Sequence, residues 1–283
     1  MWPQGNCGHT SSITEGDMRV FSFGGGVQSV AVMVLSAQQI LPYTHFVFAN
    51  VGSDSENPGT MEYIENIAKP FALQYGLNFV EVQWKRKPTS AQTLYEALVE
   101  DRNDIAIPVH MKGGGPSWRN CTSKWKVKVI DRWMRDNAGA TKQNRQPIGV
   151  GISTDEIHRM RTDDPERDVY AYKEYPLVDL RLNRIACQQI IVGAGLPPAP
   201  KSSCWFCPYK ADKDWMELRR LYPHLFKRVI ELEDTINQKR KKYGDKDDVY
   251  LWGKQRPMRD FQFVETVDMF DEGMACESGH CMT

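Results

Sequence analysis

Apolar residues along this chain alternate between short continuous runs and stretches spaced at helical intervals. Residues 19–23 form an apolar strand candidate that runs into three glycines. Val27, Val30, Ala31, Val34 and Leu35 then recur at helical spacing, which predicts a helix over residues 27–39. Residues 45–50 read as a second buried strand and residues 78–82 as a further strand. They flank a predicted helix at 61–75 with Tyr63, Ile64, Ile67 and Phe71 on its core face. Helical spacing returns over residues 92–100, 124–134, 180–193, 215–221 and 226–240, and residues 147–152 add another core strand. Strands alternating with helices through short connections predict an α/β fold, with a mainly parallel sheet covered by helices. Pro197-Pro-Ala-Pro200 marks a hinge. The expected organisation is a loose arm at residues 1–17, an α/β unit at 18–196 and a helical, cysteine-containing extension at 197–283.

Composition refines this picture modestly. With 283 residues, 41% hydrophobic and 25% charged, the chain can bury a sizeable core. No apolar run reaches the roughly 18 residues of a membrane span. Residues 1–12 lack the basic start and apolar stretch of a secretory signal. A cytoplasmic location without membrane association is therefore expected, with the seven cysteines serving as thiols or ligands. Net charge is zero but unevenly placed: from Lys112 to Arg145 nine Lys or Arg face two Asp. The tail after Val264 carries five acidic residues and no basic one. Such a basic segment suits a nucleic acid or a phosphorylated small substrate, and equally a solvated surface. A homo-oligomer is left open.

Two signals carry chemistry. In Phe21-Ser-Phe-Gly-Gly-Gly-Val-Gln-Ser29, a strand meets a glycine turn and a helix start. Ser22, Gly24, Gly25, Gly26, Gln28 and Ser29 are its candidate phosphate-binding residues, through backbone amides and the helix dipole. A plain strand–helix turn explains the same letters. The lysine of an ordinary P-loop and the glycine spacing of a dinucleotide fingerprint are both missing. Asp54, in the exit loop of the second strand, is a candidate for magnesium beside a polyphosphate, or for fixing that loop. Asp155, Glu156, Arg159 and Arg161 follow the later core strand as candidates for orienting substrate and stabilising negative charge, against a surface ion-pair network. Arg119 and Lys124, with Lys126 and Lys128, are candidates for acceptor phosphates; Lys126 and Lys128 read most simply as helix surface.

The second signal is Cys204-Trp-Phe-Cys207, whose short spacing lets two sulfurs meet one centre. Folding that added Cys121 and either Cys276 or Cys281 would give a four-thiolate site for zinc or a [4Fe–4S] cluster. A redox pair or unliganded thiols remain alternatives, and Cys276 or Cys281 can instead serve as a mobile nucleophile. Cys187 lies in an apolar helical pattern and reads as a packed thiol. Trp205, Tyr209 and Trp215 fit a hydrophobic seam better than a base-stacking platform.

Taken in order, Ser22-Phe-Gly-Gly-Gly-Val-Gln-Ser29, Phe48-Ala-Asn-Val-Gly-Ser-Asp54, Gly151-Ile-Ser-Thr-Asp-Glu156 with Arg159, Tyr175-Pro-Leu-Val-Asp179 and Ser203-Cys-Trp-Phe-Cys-Pro208 resemble the phosphoadenosine phosphosulfate reductase-like family. That family sits within the adenine-nucleotide alpha-hydrolase-like superfamily and includes bacteriophage-encoded members, for which the compartment would be the host cytoplasm. The resemblance covers residues 19–235 and implies a doubly wound sheet, an adenine nucleotide such as ATP on the Ser22–Ser29 loop, and a lean toward the iron–sulfur cluster. It implies sulfur metabolism or nucleic-acid modification, with adenylation of an acceptor, release of pyrophosphate and a sulfur donor as partner. An alternative is reduction of a sulfonucleotide through a cysteine thiosulfonate and an external thiol reductant; another is a nucleotide-binding regulator without turnover. The tail Cys276-Glu-Ser-Gly-His-Cys281 departs from the Glu-Cys-Gly-X-His pattern of the family's reductases.

Overall fold

The architecture comes from a computed structural model, which describes residues 18–84, 90–117, 119–244 and 247–262. Five parallel strands build the main sheet: β1 (Val20–Phe23), β2 (His45–Asn50), β3 (Asn78–Gln83), β5 (Gln146–Val150) and β6 (Ala171–Glu174). Their order is β3-β2-β1-β5-β6, all pairs parallel. A separate antiparallel ribbon pairs β4 (His110–Met111) with β7 (Val249–Tyr250). The order reverses at β1, so the chain winds outward first to β3 and later to β6. A crevice opens between the carboxyl ends of β1 and β5 at such a switch point.

Side chains alternate across the sheet as the pleat requires. Phe21, Phe23, Phe46 and Phe48 enter a core shared with α1 (Val27–Ala37) and α7 (Arg184–Gly193), whereas Val20, Val47, Ala49 and Ile148 face α5 (Lys128–Asn137). Helices therefore cover both faces. Each fully buried phenylalanine contributes roughly 2–3 kcal/mol of transfer free energy. Every residue from Val27 to Ser36 is buried, making α1 the central helix, enclosed on all sides. Gly149 of β5 lets the sheet close: a Cβ there would stand 2.5 Å from the Tyr43 ring and 2.6 Å from that of Phe21.

A helical layer joins α4 (Leu94–Val99), α8 (Asp212–Leu221) and α9 (Pro223–Lys242) in a second core with Trp205, Trp215 and Trp252. Trp205 and Trp215 are buried in this seam. No helix among the described residues is long and apolar enough to cross a membrane.

Several elements differ from the sequence pattern. The single helix expected over residues 61–75 starts earlier, where the Asn57 side chain accepts from Gly59 N–H at 2.9 Å. It comprises α2 (Pro58–Tyr63), a π-helical turn at Ile64–Ala68 and α3 (Lys69–Gln74). Pro70 lies just after the wider turn, and a proline inside a helix removes one ladder donor. Helix α7 starts at Arg184 rather than 180 because α6 (Pro176–Asp179) and a turn with Arg181 at φ +55° come first. Asn183 caps α7 by accepting from Ala186 N–H at 2.8 Å. Strand β6 was not foreseen: its Tyr172, Lys173 and Glu174 are too polar to read as core.

Candidate functional site

The glycine loop is shaped by contacts on both sides. Gly25 has φ +77°, and a Cβ there would lie 2.9 Å from Thr60 Cγ2. Gly24 N–H donates to Ser29 Oγ at 2.9 Å, and Ser202 Oγ donates to the Gly24 carbonyl. Ser29 thus fixes the loop as an acceptor. Gly26 precedes α1 with no side-chain cap, and a Cβ there would meet Ser202 Cβ at 3.3 Å. Gln28 reaches sideways, donating to Ser153 Oγ at 3.3 Å and accepting from Arg184 Nη1 at 3.4 Å.

The crevice, about 80 Å³, lies under α5. Ser22 and Gly24 of the β1 end and Val150 and Gly151 of the β5 end form its floor. Thr122, Lys126, Val127, Ile130 and Asp131 line it from the helix above, and Asp168, Ala171 and Lys173 from the side of β6. Its lining combines backbone at the two strand ends with charges of both signs, Lys126 and Lys173 against Asp131 and Asp168.

On the far side of Thr122 and Lys126 is a second cavity, about 40 Å³, lined by Cys121, Cys204 and Cys207 together with Arg119 and Tyr209. A β-bridge between Glu56 and Cys204, with Trp205 N–H donating to the Ser55 carbonyl at 3.3 Å, holds the Cys204–Cys207 segment against the loop after β2. Three of the candidate thiols therefore converge from distant parts of the chain; Cys276 and Cys281 lie outside the described residues. The donors are soft and suit zinc or iron. Among the described residues, however, no group of three or more His, Cys, Asp or Glu is arranged to hold a metal ion. The convergence is of side chains around a space, short of an assembled ligand set. Cys187, by contrast, is fully buried between α1 and α7, and burial first, then Asp155, pushes its thiol up to about 12.

Lys126 joins the two cavities. Residues Thr122–Val127 form a π-helical stretch directly after Cys121, and its wider turn brings Thr122 and Lys126 inward while Ser123 and Lys128 stay exposed. The ammonium lies 3.3 Å from Oε1 of Glu56, whose side chain is fully buried. Neither Glu56 oxygen has a well-aligned hydrogen bond among the described residues. Burial alone would lower the Lys126 pKa; the Glu56 carboxylate, with the Cys204 and Cys121 sulfurs, outweighs it and holds Lys126 protonated well above the usual lysine range. Lys126 is thus no helix-surface residue, and Glu56, Thr122, Asp131 and Asp168 join it as site residues that the sequence pattern did not single out. Helical spacing already places Lys126 among Thr122, Val129 and Ile130; its residue type, a lysine in a basic stretch, is what reads as surface.

The remaining candidates are placed as follows. Both Asp54 carboxylate oxygens accept hydroxyls, from Ser55 and Thr93 at 2.9 Å each, and its carbonyl accepts from the Trp205 indole at 2.7 Å. Asp155 accepts from Arg184 N–H at 3.0 Å at the start of α7. Glu156 and Arg159 pair at 2.6 Å, both largely buried. Arg161 N–H donates to the Tyr175 hydroxyl at 3.1 Å, and its residue is exposed. Arg119 stacks over Tyr209 at 5.9 Å in the cysteine cavity. Lys124 pairs with Asp104 at 2.9 Å on the surface, away from both spaces. No protein-family model matches the chain, and no curated protein matches it significantly.

Proposed function

We propose that this protein is a nucleotide-dependent enzyme that activates an acceptor at the switch point and acts on it with sulfur from the adjoining cysteine cavity. An adenine nucleotide such as ATP lies in the crevice, its phosphates toward Gly24–Gly26, the first amides of α1 and the Lys126 ammonium. The acceptor's oxygen attacks the α-phosphorus; the α–β phosphorus–oxygen bond breaks and its electron pair leaves with pyrophosphate. A sulfur nucleophile then displaces the adenylate. Helix-start amides and Lys126 are suited to the charge that builds on the departing pyrophosphate. The observation that carries this reading is that Thr122 and Lys126 line both spaces, so phosphates and thiols would share one largely buried cation.

The test is product analysis with the purified protein. Incubated with ATP, magnesium, a sulfide source and a pool of small RNA or DNA acceptors, it should release pyrophosphate and AMP. Sulfite from phosphoadenosine phosphosulfate, with no pyrophosphate from ATP, would overturn this reading in favour of sulfonucleotide reduction. Nucleotide binding with neither product would indicate a regulator.

A further inference from the structure

Apart from the crevice and the cysteine cavity, an open groove of about 960 Å³ runs beside α8. Its charge is one-sided. Lys213, Arg219, Arg220 and Arg259 line it against Asp214 and Glu217. Asp214 is engaged by Lys201 at 2.7 Å, and Arg259 by Asp234. Lys213 and Arg220 are exposed and form no ion pair among the described residues. Arg219 donates to a carbonyl, that of Phe261, at 3.1 Å. Three cations are left facing Glu217.

The described chain also ends in this groove. Phe261 is buried, its ring 5.0 Å from that of Trp252 and 5.7 Å from that of Phe226, and Arg219 holds its carbonyl. Gln262 follows and lines the groove. Consecutive Cα atoms stand about 3.8 Å apart, so residue 263 starts in the groove or at its rim. The ten residues 263–272 contain Glu265, Asp268, Asp271 and Glu272 and no Lys, Arg or His. Val264, Val267 and Phe270 lie between these acids, and the groove offers Met216 and Phe261 as apolar lining. We propose that residues 263–272 dock along α8 in this groove, their carboxylates pairing with Lys213, Arg219 and Arg220. Each exposed pair contributes at most ~1 kcal/mol. The covalent tether supplies the rest, holding the acids at an effective concentration on the order of millimolar. Such docking is weak and sensitive to salt. It also fixes the point from which Cys276, four residues beyond Glu272, extends. It does not depend on the nucleotide reading.

Carbodiimide coupling, which joins a carboxylate directly to a lysine amine, tests the contact in the full chain. Lys213 is the groove's lysine, and the Lys201–Asp214 pair is an internal control for folding. At low salt, mass spectrometry should find Lys213 linked to acids within residues 265–272. Arg220→Glu should lower that yield ~2- to 5-fold, the size expected of exposed ion pairs, and leave the Lys201–Asp214 link in place. Salt near 1 M, where the Debye length is about 3 Å, should lower it similarly. The double variant Asp271→Asn/Glu272→Gln alters the tail alone and should weaken the remaining links to Lys213 by a like factor. No tail link while Lys201–Asp214 couples, or a yield that neither the variants nor salt change, overturns the proposal. So do links found only between isotope-labelled and unlabelled chains in a mixture, which would assign the groove to the tail of a second copy.

Discussion

The switch-point crevice and the cysteine cavity share a wall but are built by different means. The crevice is framed by two parallel strand ends and a glycine turn, roofed by side chains between Thr122 and Asp131. Its floor follows from sheet order. The cavity is made of side chains from segments more than eighty residues apart, Cys121 on one and Cys204 with Cys207 on the other. Those sulfurs converge without forming a ready ligand set. Backbone sites are thus fixed by topology, whereas a site of converging side chains depends on what holds its segments together. Here the Glu56–Lys126 pair and the Glu56–Cys204 bridge do so.

The sharpest way to break this comparison is at that pair. Glu56→Gln leaves Lys126 largely buried without its counter-charge and should destabilise the protein by ~3 kcal/mol in urea unfolding, since removing one partner strands the other. A change below ~1 kcal/mol would mean that the cavity wall does not depend on the pair. Gly25→Val attacks the crevice instead. Its positive φ and the Thr60 contact predict a loss of ~2 kcal/mol together with impaired nucleotide binding. Alkylation rates at Cys121 and Cys204, followed by mass spectrometry, should stay near wild-type values; equal damage to both would show that the two spaces are not separately built.

A third test concerns the helical layer beneath the cavity. Glu233 is buried and accepts the Leu251 and Met258 amides at 2.7 Å each. Burial outweighs those bonds and raises its carboxyl from 4.5 to about 7. The folded chain then keeps a proton that the unfolded chain releases, so this group's contribution falls as pH rises from 4.5 to about 7 and levels off above. Glu233→Gln should remove that one-proton slope from unfolding free energies measured across this range. The smallest effect is expected from Lys124→Ala. Its exposed pair with Asp104 contributes below ~1 kcal/mol, and nucleotide affinity should not change.

What could be read from the chain follows the same division. Apolar periodicity identified β1, β2, β3 and β5, and the Ser22–Ser29 motif marked the glycine turn, because each depends on neighbouring residues. The cysteines were visible as candidates through spacing and residue type. Lys126 was not, because a lysine on the apolar side of a basic helix reads by type as solvated, and Glu56, its counter-charge, lies far away in sequence. Glu56 looked like part of an acidic loop, and only its bridge to Cys204 turns it inward. Asp131 reads as the exposed face of a basic helix until the sheet lies beneath it. Strand β6 escaped for a related reason: at the sheet edge its side chains need not be apolar.

The central claim is that one buried lysine serves both spaces, and ATP titration of wild-type, Lys126→Met and Lys124→Ala proteins tests it most directly. Wild-type and Lys124→Ala should bind ATP with equal affinity, while folded Lys126→Met should bind ~10-fold or more weakly, as expected when a charged phosphate contact is lost. Equal binding by all three, or none by the wild-type chain, would contradict it.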